Sequence, residues 1–174
     1  MTETKFSKVR IFSSLLRNVP LLLLLISVLN EFDFNYLEVT LFSFNFPYIL
    51  IFYWSLKKTE SLGYGFIFIA GLINDVVVGF PIGISSLAYL LICGFSAYLR
   101  NITLRPNLFK DWMFFLLTIL VVNSFTYSLL TLFFSFKINY ITLLTNLIFT
   151  FLLYFVFAHI FQFYQKIAFE GDHV

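Results

Sequence analysis

Apolar residues in this chain gather into windows of roughly 15 to 25 positions instead of alternating in short segments, and this grouping restricts the fold more than any other feature. As helices, such windows match the hydrocarbon thickness of a bilayer at ~1.5 Å per residue. Charged residues are 11% of the chain, against about 25% in soluble domains. The expected class is therefore an all-α integral membrane protein. It is a single polytopic domain over residues 1–174, with about six transmembrane helices in one bundle at about 12–30, 42–56, 62–80, 82–99, 112–136 and 140–164.

The first span has a continuous apolar core only from Val19 to Leu29, and it serves as a span if Arg17 snorkels to the headgroups. Its basic start resembles a signal sequence, but Asn30-Glu31-Phe32-Asp33 follows in place of a small-x-small cleavage site, so an uncleaved anchor is expected. The second span contains Pro47, which breaks or starts a helix, leaving part of 41–46 as an approach to the membrane.

Charge placement sets the orientation. Six spans put Lys5, Lys8, Arg10, Arg17, Lys57, Lys58, Arg100, Arg105, Lys110 and Lys166 on one side and only Lys137 on the other, so ten of eleven basic residues agree. Both termini are then expected on the cytoplasmic side. The outer side holds a loop with Glu31, Asp33 and Glu38, a reversal at Gly79–Gly83, and a link around Lys137–Asn139. Nothing in this distribution favours nucleic-acid binding.

One carboxylate lies inside the apolar runs. Asp75, in Gly71-Leu72-Ile73-Asn74-Asp75, costs about 2.5–3.5 kcal/mol at a helix centre on insertion scales, so it marks a site. It can join helices as a hydrogen-bond acceptor, contact a ligand or partner, or carry a proton. No membrane-embedded Lys or Arg pairs with it in the sequence, which favours a protonated or externally satisfied carboxyl group. Gly71 and Gly79 flank it at four-residue intervals and would bring a neighbouring helix close.

Gly79-Phe80-Pro81-Ile82-Gly83 reads as a tight connection between antiparallel helices. Gly63, Gly65, Gly71, Gly83, Gly94, Ser96 and Ala97 suggest that the third and fourth spans form the packed centre.

Asn123 with Ser124, Asn146 and His159 are expected to make interhelical hydrogen bonds, and Cys93 to be a small buried residue. Tyr53, Trp54, Trp112, Tyr140 and Tyr164 fit an interfacial belt. With His173 in the polar tail, no HExxH, cysteine cluster or G-x-S-x-G is present. No enzyme activity, metal or cofactor is expected.

Taken together, the basic start, the Pro47-initiated short span ending in Tyr53-Trp54, and G-L-x-x-D followed by G-x-P-x-G resemble the MreD family of bacterial rod shape-determining membrane proteins. Gly71, Asp75, Gly79, Pro81 and Gly83 match the family motif, with Pro47 as its second-span proline. An acidic residue often follows that proline in such proteins, whereas Tyr48 stands here.

The resemblance implies a non-catalytic component of the cell-elongation complex, working with MreC, the MreB filament, and the glycan polymerase and transpeptidase of lateral-wall peptidoglycan. These motif residues, with Asn74, become the candidates for partner contact. It also implies a helical bundle similar to the substrate-binding subunits of energy-coupling-factor (ECF) vitamin transporters. That likeness supplies the alternative function, a vitamin-binding subunit, which needs a polar pocket open to the outside. Short outer loops and few polar intruders count against it.

Overall fold

The computed structural model describes residues 18–29, 43–57, 62–102, 107–136 and 139–169. Arg17 and the residues before it, the loop with Glu31, Asp33 and Glu38, and Lys58, Arg105, Lys137 and His173 lie outside the described residues. What is described is all helical: α1 (Asn18–Leu29), α2 (Phe46–Lys57), α3 (Tyr64–Val78), α4 (Ile84–Ile102), α5 (Leu108–Phe134) and α6 (Tyr140–Phe169).

Local chemistry explains where these helices start. α2 opens at Phe46 because Pro47 falls in the first turn, where a missing N–H costs no intrahelical bond. Residues 43–45 precede it without helical structure. α5 starts at Leu108, four positions before the expected 112, because Asn107 caps it: its extended backbone (φ −135°) lets Oδ1 accept from Phe109 N at 3.1 Å. Asp111 thereby enters the first turn of α5.

With 27 and 30 residues, α5 and α6 reach about 40 and 45 Å, and both are long and apolar enough to cross a membrane. Their outward side chains, among them Leu117, Phe125, Leu152 and Phe163, are mostly apolar. Such a surface suits lipid, and a soluble monomer does not carry one of this extent.

α2 is the centre of the molecule, which corrects the expectation that α3 and α4 form it. Its 12 residues read FPYILIFYWSLK, apolar on every side, and a helix of that kind must be enclosed all round. Every residue from Phe46 to Leu56 is buried. α4 and α6 pack against it, and Leu24 and Val28 of α1 join the same core. α3 contributes only Ile67, Ala70, Gly71 and Asp75 to the interior and turns Phe66, Ile69 and Val76 outward.

The aromatic residues divide accordingly. Phe52 meets Phe115 and Tyr154 edge-on, and those two rings stack at 4.4 Å. Each such pair contributes about 0.5–1.5 kcal/mol beyond its buried area. Tyr53 and Trp54, expected at the interface, are core residues packed on Phe161, because α2 carries them inside. Tyr164 is half-buried against Trp54. Trp112 stacks on Phe151 and donates Nε1–H to its carbonyl at 2.9 Å. Tyr140 alone among the five is well exposed.

Candidate functional site

The ends of the bundle differ in charge. At the basic end, where α2, α4 and α6 finish and α5 starts, lie Lys57, Arg100, Lys110 and Lys166. At the opposite end α3 returns into α4, and the motif residues gather there.

Gly71 sets the spacing of the two helices. A Cβ at this position would press on Ser86 Cα and lie 2.6 Å from Ser86 N, so only glycine allows α4 so close. Ser86 Oγ uses that proximity to donate to Phe68 O at 3.0 Å. The close neighbour admitted by Gly71 is thus α4 of the same chain. Gly65 and Gly94, also read as packing residues, have nothing within 4 Å of a Cβ and face outward.

One turn beyond Gly71, Asp75 is fully buried. Its Oδ2 accepts from Gly83 N at 2.6 Å and its Oδ1 from Ser85 N at 2.7 Å. The first N–H groups of a helix have no intrahelical acceptor, and the helix dipole there favours negative charge. Asp75 therefore closes the start of α4 by accepting two backbone hydrogen bonds. Of the roles open to Asp75 in the sequence, these bonds describe the helix-joining acceptor: Gly83 N and Ser85 N at the start of α4 supply two donors to its carboxyl group.

The reversal is built to present those N–H groups. Gly79 ends α3 at φ 76°, and Phe80 N donates to Asp75 O at 2.9 Å. Gly83 sits at φ 105°, a backbone value that side chains resist. Pro81 O accepts from Ile84 N at 3.3 Å. Asn74 Nδ2 donates to Ser85 Oγ at 2.9 Å. Gly71, Asn74, Asp75, Gly79, Pro81 and Gly83 thus form one clamp, with Ile82 78% exposed at its tip.

Beside the clamp is a cavity of about 370 Å³, and Pro47, Asn74 and Ser85 line it. Pro47 is therefore brought to the motif across the bundle. Asn123, Thr126 and Tyr127 of α5 face it, as do Asn139, Thr142 and Asn146 at the start of α6. None of the described lining residues is charged. Asn146 bonds across elements as expected, Nδ2 donating to Ser43 Oγ at 2.8 Å. Among the described residues Asn123 makes no such bond, Ser124 is exposed, and His159 pairs with Phe155 O of its own helix on an exposed face. The polar residues are thus neither few nor scattered. Their spacing of three and four along α5 was the available signal.

At the basic end, Lys57 Nζ lies 2.7 Å from Oδ2 of Asp111, whose side chain is 2% exposed. Sequence reasoning left both in loops. Arg100 Nη1 donates to Ser55 O at 3.4 Å, and the buried Cys93 has Sγ 3.2 Å from Ser55 Oγ. No cluster able to hold a metal ion occurs among the described residues.

No curated protein and no solved structure matches the chain, so the likeness to vitamin-transporter subunits gains no support. A family described as rod shape-determining protein MreD matches residues 12–167 of the 174, a stretch that includes the whole clamp and Pro47. The chain belongs to the MreD family of rod shape-determining proteins.

Proposed function

We propose that this protein is a non-catalytic inner-membrane component of the bacterial cell-elongation complex. It supports lateral peptidoglycan synthesis through contact with MreC and, in the same assembly, with the MreB filament, the glycan polymerase and the transpeptidase. The family match carries this reading. The multi-pass arrangement with both termini cytoplasmic is part of the proposal, supported by the gathering of Lys57, Arg100, Lys110 and Lys166 at one end.

The clamp suggests how the motif serves partner contact. Pro81 belongs to the Phe80–Ile82 tip offered to the partner, and Gly71, Asn74, Asp75, Gly79 and Gly83 support it from behind. They hold the Phe80–Ile82 tip in one conformation, and a pre-ordered tip binds without the entropic cost of ordering a loop. Pro47 fixes the start of the central helix beside it.

Affinity purification of the tagged full chain from its own membranes tests this. MreC co-elutes in the expected result, and Ile82→Lys reduces the yield of MreC several-fold while leaving the melting temperature unchanged. Absence of MreC from the wild-type eluate contradicts the reading.

A further inference from the structure

Non-helical backbone at membrane depth is tolerated only where protein encloses it or where it lines a water-filled cavity. Residues 43–45, which lead into α2, are of that kind. The basic residues at one end of the bundle mark a membrane boundary. From Lys57 back to Phe46 is eleven positions along α2, at most about 17 Å, or roughly half of a hydrocarbon core of ~30 Å. α4 gives the same depth, because the ring that meets Tyr48 is Tyr89, eleven positions from Arg100, whose guanidinium reaches Ser55 O. The central helix therefore starts near the middle of the bilayer.

At this depth Ser43, Phe44 and Asn45 line the cavity beside the clamp, and Asn123 and Thr126 of α5 face them. Asn123 stands twelve positions from Asp111, the partner of Lys57, so α5 carries it no more than about 18 Å from the same boundary. Among the described residues, the enclosed polar side-chain atoms without a partner belong to Trp54, Tyr89 and Tyr154, none of which lines the cavity. The polar side chains of the lining have a protein partner or open space in front of them.

We propose that the cavity is an aqueous vestibule, open at the clamp end, that carries water to about the bilayer midplane. Water there pairs with amides, hydroxyls and non-helical peptide groups that hydrocarbon would leave unpaired. About 370 Å³ accommodates on the order of ten water molecules. The vestibule also explains how a helix of 12 residues serves as the centre of the bundle, where about 20 are needed to cross a bilayer: α2 has only the remaining half to cross. This inference rests on the membrane-spanning reading of the chain, with Lys57 and Arg100 at one boundary. On the proposed orientation the mouth faces the outer side.

Thiol accessibility tests it, because methanethiosulfonates attack the thiolate, which forms where water reaches the sulfur. Cys93, the one cysteine of the chain, is replaced by alanine in the full protein. Asn123→Cys, Thr126→Cys, Phe125→Cys and Ile82→Cys are then made singly in that background. Spheroplasts and inverted vesicles are treated with two membrane-impermeant methanethiosulfonates, one anionic and one cationic, so that the local field does not decide the outcome. Phe125 lies between the two test positions on α5 but faces outward, and Ile82 reports access to the clamp end.

Asn123→Cys and Thr126→Cys are expected to react in spheroplasts, with at least one reagent, about ten times faster or more than Phe125→Cys. If Asn123→Cys does not fold, Thr126→Cys, a change of similar size, decides. The same pattern confined to inverted vesicles supports the vestibule and overturns the orientation. Failure of Ile82→Cys to react from either side overturns the membrane boundary and the vestibule together. Reaction of Ile82→Cys, with Asn123→Cys and Thr126→Cys no faster than Phe125→Cys, overturns the vestibule alone.

Discussion

Asp75 holds two backbone N–H groups, and the number of acceptor oxygens left at that position predicts a graded series. Asp75→Asn keeps one oxygen and turns an N–H donor toward another, leaving one buried donor unpaired at about 1–3 kcal/mol; Asp75→Ala strands both, at about twice that. Thermal unfolding in nanodiscs should rank wild type above Asn and Asn above Ala, and an Asn variant as stable as wild type would count against the clamp. Gly71→Ala should cost about 1–3 kcal/mol by forcing α4 away from α3. Gly65→Ala and Gly94→Ala face open space and should stabilise by up to about 1 kcal/mol. Sequence reasoning could find Asp75, because a carboxylate among apolar residues is conspicuous. It could not find the partner, because every residue except proline carries a backbone N–H and no side-chain pattern reports which of them is free.

At the scale of elements, punctuation was legible and three-dimensional neighbourhood was not. Gly79, Pro81 and Gly83 mark the reversal locally, and Pro47 marks the start of α2. The centre was misplaced because three different uses of glycine look alike in a sequence: Gly71 for close approach, Gly79 and Gly83 for positive φ, and Gly65 and Gly94 for neither. The pair between Lys57 and Asp111 was missed because it joins the last turn of α2 to the first turn of α5, which are 54 positions apart. It predicts marked coupling. Lys57→Met alone leaves a buried carboxylate and should destabilise by about 3–5 kcal/mol, whereas Lys57→Met with Asp111→Leu should recover most of that loss. A double-mutant cycle by thermal unfolding checks it, and additive losses would show that the pair is not coupled.

For the whole molecule, composition gave the membrane class, because a chain with 60% hydrophobic residues has too little polar surface to face water, and the grouping of the apolar residues into long windows gave the helices. Family membership then supplies the shape-determining role, while the arrangement of the bundle separates a basic end from the end bearing the clamp and the cavity. Compartment reporters fused after Lys110 and at the C-terminus should both read as cytoplasmic, and periplasmic activity at either would reverse the assigned orientation. The most direct test of the central claim is depletion of the protein in its own cells, with cell width and outline followed by microscopy. Rods should widen and round as the protein is lost, with shape restored by the wild-type gene; cells that stay rod-shaped after complete depletion would contradict the account.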